Sequence, residues 1–258
     1  MFGRRKTPPP APPGTAYPDQ PPGHAHVLAL LDREEHEKPL QRAQLTGRVI
    51  FDWVCEAFKD ERGIRMESLL ATLASVGGQQ CIEPLLESLK AGGRTAQDAG
   101  IMEVKTTDGS VYFFGDAPNE LLVESPMSLI SLAFGAAKDC GAAVTMDMIH
   151  DEMRTVASSL GSGEAFFEFP LPEHIQIGNP MDWAALVTPK IVDLCNLYRV
   201  PPLQRATAIG FAIARAIVAG KQAIDPLIAA RIVLGCATRC AKVDPAAMEK
   251  WRQWRSST

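Results

Sequence analysis

Five residues whose side chains can move protons or bind cations crowd one short segment: Asp147, His150, Asp151, Glu152 and Arg154. At helical spacing Asp147 lies about one turn from His150 and Asp151, where a carboxylate could orient the imidazole or share a metal with it. Asp147, His150 and Asp151 are therefore the candidate catalytic residues. A metal site asks for roughly three or four protein ligands, and His174 is the one distant partner the sequence offers, so no metal and no cofactor are expected. The same segment also reads as a solvated helix face on which the acids pair with Arg154, and this is the favoured reading.

A second chemistry-bearing stretch runs Gly161-Ser162-Gly163-Glu164-Ala165-Phe166-Phe167-Glu168-Phe169-Pro170. It has the composition of a flexible loop leading into aromatics, and with Tyr112, Phe113 and Phe114 it could wall an apolar pocket for a small ligand. Tyr112, Phe114 and Phe166 are the candidate ligand-binding residues, in a pocket between that loop, a β-hairpin and the helix bearing His150. Alternation of Phe with Glu also fits an edge strand, which is favoured. Cys236 and Cys240 stand one helical turn apart and could supply half a metal site, but no matching second pair exists, and free cysteine is commonly a small core residue. Trp251 and Trp254 lie among Lys250, Arg252 and Arg255. Exposed, they could stack on nucleic-acid bases; the favoured reading docks them on the domain.

The familiar catalytic signatures do not occur in the sequence. Gly220-Lys221 lacks the preceding glycine of a phosphate-binding loop, Arg215 standing in its place, and Gly161-x-Gly163 has no third glycine. No HExxH, GxSxG or paired CxxC motif is present. Whether the chain is an enzyme is left open by the sequence.

The elements that must position these residues follow from composition and period. The 258 residues are 46% hydrophobic and 22% charged, ordinary values for a folded domain. The net charge of -4 gives no broad positive field, so nucleic acid is an unlikely partner and anionic membrane is not expected to attract the chain. Residues 1–25 hold eight of the twenty prolines and few aliphatics, which predicts a disordered arm with polyproline character. Its Pro9-x-x-Pro12, Pro10-x-x-Pro13 and Pro18-x-x-Pro21 patterns could dock in an aromatic groove, although a spacer is the simpler role. No apolar stretch follows Arg4-Arg5-Lys6, as a secretory signal would require. The most membrane-like run, Ala206 to Gly220, carries Arg215 and is too short to span a bilayer. Six cysteines in apolar segments suit reduced thiols, hence a cytoplasmic location.

Periodicity predicts a mainly α (α+β) fold: a single α-rich domain over residues 26–248 with a small antiparallel β-hairpin at about 101–115, and a basic, aromatic tail over 249–258. A short helix is expected over Val27 to Lys38. Leu45, Val49, Trp53 and Ala57 mark one helical stripe. Met66, Leu69, Leu70 and Leu73 mark another that Gly77-Gly78 should end, and Pro84 should open a third, closed by Gly92-Gly93. Asp108-Gly109 between β-formers predicts a tight hairpin turn, with further strands available at Phe166 to Phe169 and Ile175 to Ile177. Helices are expected over Met127 to Asp139 and Met146 to Leu160. Asn179-Pro180, Thr188-Pro189, Asp225-Pro226 and Asp244-Pro245 each pair a capping residue with proline and so predict helix starts. In Ala206 to Gly220 the small ridge Ala206, Gly210, Ala214 runs beside Ile209, Ile213 and Ile217, predicting a central core helix. The functional expectation is a non-catalytic protein-interaction or self-associating domain, its partner a protein or a second copy. The alternative is a small-molecule-binding protein or enzyme using the pocket described above.

Overall fold

The structure is a computed structural model that describes residues 23–256. The PxxP patterns of the arm lie outside the described residues. The chain begins with helix α1 (His24–Glu34) and α2 (Gln41–Phe58), then a minimal hairpin of β1 (Lys59–Asp60) and β2 (Gly63–Ile64). Helix α3 (Met66–Ala91) follows, and then the hairpin of β3 (Met102–Lys105) and β4 (Val111–Phe114). Next come α4 (Asp116–Asn119), a π-helical turn Glu120–Glu124, α5 (Leu129–Asp139) and α6 (Met146–Ser158). After a 3-10 turn at Gly163–Phe167 the chain closes with α7 (Pro180–Leu197), α8 (Arg205–Gly220), α9 (Pro226–Cys240) and α10 (Pro245–Ser256). The fold is mainly α, with two small antiparallel two-stranded sheets among the described residues.

The core is built around α3. Every residue from Ser68 to Ile82 is buried, so this helix has no solvent face and shows no amphipathic stripe over that length. It packs against α7, α8 and α9, while α8 also packs against α2 and α5. Gly77 and Gly78 do not end the helix, as the sequence predicts; they let neighbours touch its backbone. A Cβ on Gly78 would sit 2.2 Å from the Ala237 carbonyl oxygen on α9, and one on Gly77 would sit 2.7 Å from Leu129 Cδ1 on α5. Close packing thus outweighs glycine's helix penalty of about 1 kcal/mol per residue. Pro84 lies inside this same continuous helix.

Three of the four cap-then-proline signals open helices. The Asn179 side chain accepts from Met181 N at 2.8 Å, Asp225 from Leu227 N at 2.8 Å, and Asp244 from Ala246 N at 2.9 Å. Thr188-Pro189 instead lies within α7, where the Thr188 hydroxyl donates to Gln79 Oε1 on α3, 2.9 Å away and inside the core. The α8 ridge behaves as its sequence predicts: a Cβ on Gly210 would come within 2.8 Å of Leu132 on α5. Helix α1 starts at His24, earlier than Val27, and is held by buried groups. His24 Nε2 lies 3.0 Å from the Leu197 carbonyl, and Arg42 reaches both Asp32 (2.7 Å) and the Tyr198 carbonyl (2.8 Å).

Among the described residues, Asp116–Asp139 is the stretch long and apolar enough to cross a membrane by length and composition. Its helical course breaks between Glu124 and Leu129, where Ser125 and Ser128 are extended.

These close approaches carry a prediction. Gly78→Ala should destabilise the protein by about 3 kcal/mol through overpacking against Ala237. Gly135→Ala, on α5 with nothing within 4 Å of the added methyl group, should be neutral or stabilising by up to about 1 kcal/mol. Urea unfolding of both variants reads the contrast.

Candidate functional site

Helix α9 ends where the irregular parts of the molecule meet. Its last turns carry Arg239 and, just beyond, Lys242, which are 0% and 1% exposed. Two buried cations beside a helix C-terminus gain from the partial negative charge of the terminal carbonyls. Each still needs specific partners to offset desolvation.

Arg239 finds them on three elements. Its Nε donates to the Phe166 carbonyl at 2.6 Å and its Nη2 to the Glu168 carbonyl at 3.1 Å. Its Nη1 pairs with the Glu152 carboxylate on α6 and also donates to the Gly235 carbonyl. The guanidinium lies 4.9 Å from the centroid of Phe169, a ring that a Cβ on Gly235 would meet at 2.5 Å. Burial pulls the Arg239 pKa down to about 10, so it stays charged at neutral pH.

Lys242 fastens the other side. Its Nζ donates to Asn119 Oδ1 at 2.7 Å and lies 5.1 Å from the centre of the Phe114 ring. Its carbonyl accepts from Phe113 N at 2.7 Å, Asp244 N donates to the Val111 carbonyl at 3.2 Å, and Tyr112 bridges Val243. Residues 242–244 therefore line the inner edge of β4, and the extra pairing the hairpin needs comes from here. The segments Phe166 to Phe169 and Ile175 to Ile177 do not supply it. The first begins in the 3-10 turn, and Arg239 captures its Phe166 and Glu168 carbonyls; the second forms no strand. Desolvation lowers the Lys242 pKa to about 8, partly opposed by Cys81 and Glu124.

The ligand-binding candidates do converge. The Tyr112 and Phe166 rings lie 4.9 Å apart, and Phe166 meets Phe167 edge-on at 5.0 Å. Tyr112 and Phe166 are buried with Val156, Met181, Val243 and Met248 in a satellite core. They pack on one another, and Phe114 covers Lys242. The catalytic candidates are placed differently. Asp147, His150 and Asp151 are all exposed on α6, and Asp151 pairs with Arg154. A shallow depression of about 430 Å³ lies there, lined by Asp151, Arg154, Thr155 and Ser158. Glu152, on the opposite side of α6, turns inward to Arg239.

All six cysteines are free thiols. Burial pushes Cys81 and Cys240 up to about 12 and Cys236 well above the usual thiol range, so these thiols are protonated and unreactive at neutral pH. Among the described residues no cluster of three or more His, Cys, Asp or Glu could hold a metal. Helix α10 carries Trp251, whose Nε1 donates to Asp182 on α7 at 2.9 Å; the side chain of Trp254 lies outside the described residues.

Sequence reasoning passed over Arg239, Lys242 and Asn119. The available signal was a pair of bases amid small apolar residues, Gly235-Cys236-Ala237-Thr238-Arg239-Cys240-Ala241-Lys242, where a solvated helix face would show more polar neighbours. The chain matches no family model, no curated protein and no solved structure.

The buried lysine makes stability depend on pH. Below about pH 8 it is charged in both folded and unfolded chains, and burial costs the fold on the order of 3 kcal/mol. Between about 8 and the ordinary value of 10.5 the folded protein sheds this proton first, and the cost is relieved. The buried thiols act in the opposite sense above their ordinary value of 9.0, so the informative quantity is a difference. Unfolding free energy of the native protein minus that of Lys242→Met should rise from pH 7 to pH 10 by about 2–3 kcal/mol. A separate change, Glu152→Ala, should cost about 3–5 kcal/mol at neutral pH by leaving the Arg239 charge without its carboxylate.

Proposed function

We propose that this chain is a non-catalytic protein-interaction domain that works through its outer surface and associates with a protein partner or with itself. The observation carrying this reading is a contrast between inside and outside. The space between the hairpin, the Gly163–Phe167 turn and α6 is filled by Tyr112 packed at a tilt against Phe166, whose carbonyl Arg239 binds. Meanwhile Met102, Met127, Met146, Leu186, Leu203 and Val218 stand 41–59% exposed. Three of these are methionines, whose unbranched, polarisable side chains adapt to varied apolar partners. The proline-rich arm would then tether or space the domain, and the cytoplasm is the compartment that suits six unpaired thiols.

One observation favours a second reading: the depression on α6, lined by Asp151, Arg154, Thr155 and Ser158, is open to a small polar ligand that could compete for the Arg154–Asp151 pair. It would be a site of low affinity, since it is open and its charges face water.

Two measurements separate these readings. Sedimentation of the full chain over a wide concentration range should show a rising mass, while a thermal-shift screen of metabolites and metals should leave Tm unchanged. A constant monomer mass, joined to a ligand-dependent Tm that Arg154→Ala abolishes, would replace the first reading with the second.

A further inference from the structure

The interaction reading leaves open which surface is used, and the hairpin supplies one with a built-in register. Strand β3 pairs with β4 on one side only. The ladder runs Met102 with Phe114, Glu103 with Phe113, Val104 with Tyr112, and Lys105 with Val111. In an antiparallel pair, alternate residues turn their backbone N–H and C=O toward the partner strand. Thr106 N donates to the Ser110 carbonyl at 3.0 Å, so Thr106, Val104 and Met102 face β4. On β4, Phe113 N and the Val111 carbonyl point the other way, to residues 242–244. By the same alternation, Glu103 and Lys105 direct their N–H and C=O groups outward from the free edge of β3.

That edge is exposed. Met102, Glu103 and Lys105 are open to solvent, Met102 at 59%, and Val104 is half-buried. Exposed edges are templates for another strand unless guarded, and charged residues commonly guard them. Here the two charges are of opposite sign and lie symmetrically about Val104. If a second copy approaches antiparallel on a two-fold axis through Val104, Glu103 of each copy falls opposite Lys105 of the other. These are the residues whose backbone groups point outward, so each such pair exchanges two hydrogen bonds. Their side chains also sit on one face with opposite charges directly across, a favourable cross-strand pairing. Met102 then lies opposite Thr106 of the other copy. Any one-residue slip loses the backbone alternation and the charge match together.

We infer that β3 is a self-complementary docking edge, through which two copies of this chain join their hairpins into one four-stranded antiparallel sheet. The contact is isologous, the surface arrangement expected of a two-fold dimer. It is also small, so the dimer is weak and concentration-dependent. The inference rests on the proposed interaction function and names the second copy as its partner.

Charge exchange tests it without disturbing the interior. Sedimentation of the full chain should detect a dimer at up to about millimolar protein. Glu103→Lys alone and Lys105→Glu alone place like charges opposite one another and should each weaken it by about tenfold or more. The double variant, Glu103→Lys with Lys105→Glu, restores opposite signs in the same register and should recover the native affinity. Lys105→Pro removes an outward N–H while leaving the bonds to β4, and should abolish dimerisation with Tm nearly unchanged. A dimer unaffected by all four variants would overturn this edge as the contact and leave the broader interaction reading standing. A monomer at every concentration overturns the inference whatever the single variants do. If the single variants weaken the dimer and the double variant does not recover it, the two-fold register is wrong.

Discussion

Two positive charges held out of water at the end of one helix tie together the β3–β4 hairpin, the Gly163–Phe167 turn, α4 and α6. The helical layers around α3 pack mainly by shape: small residues let backbones approach, and isoleucines and leucines fill the gaps, with the buried Thr188–Gln79 hydrogen bond joining α7 to α3. The hairpin, the Gly163–Phe167 turn, α4 and α6 bury fewer apolar side chains, among them Phe113, Phe166, Pro118, Ile149 and Val156. A two-stranded hairpin is marginal in water, and a 3-10 turn has carbonyls to satisfy. Arg239 and Lys242 answer both needs from one place. One guanidinium collects the Phe166, Glu168 and Gly235 carbonyls with the Glu152 carboxylate. One lysine joins Asn119 and Phe114 while its own backbone extends the sheet. The residues are three apart, so one turn of chain fixes the relative placement of all four elements.

This arrangement has consequences for function. A ligand pocket needs walls that do not meet, and here the walls meet: the Tyr112 ring of β4 and the Phe166 ring of the 3-10 turn pack against each other at a tilt, while Lys242 pairs with the β4 backbone and Arg239 with the Phe166 carbonyl. Chemistry at neutral pH is also muted inside. The buried thiols stay protonated, and the buried guanidinium is neutralised by its carboxylate. On the outside, Met102, Met127 and Met146 and the residues Glu103 and Lys105 of the β3 edge are exposed, and these are the surfaces the proposed association would use. In the proposed dimer, a β3 already ordered by its pairing with β4 would dock with much of its ordering cost met by folding.

The sequence disclosed whatever is decided locally. Asn179, Asp225 and Asp244 cap helices because a side-chain oxygen and a following proline act within a few residues. Asp108-Gly109 makes its turn locally as well, the Asp108 carboxylate accepting from Ser110 N at 3.0 Å and Gly109 taking a φ of 85°. The stripe of Ile209, Ile213 and Ile217 is legible because burial on one side of a helix repeats with the helical period. What stayed hidden depends on distant neighbours. Gly77-Gly78 is a break by local rules and a helix crossing in fact, because Ala237, far along the chain, comes to lie on it. Thr188-Pro189 has the form of a start signal, yet its hydroxyl answers Gln79 instead of capping. The site was legible in part. The convergence of Tyr112 and Phe166 could be anticipated from their aromatic character, but not that they would fill the space between them. Glu152 was grouped with its solvated neighbours Asp147, His150 and Asp151, and only the position of Arg239 shows that it faces the other way.

Amide hydrogen exchange of Arg239→Met against the native protein tests the organising role of the buried cations most directly. If the buried cations hold the Gly163–Phe167 turn and α6 in place, exchange becomes faster only in residues 163–169 and α6, with protection in α2 and α8 unchanged. Uniform loss of protection across all helices, or no change at 163–169, would contradict it.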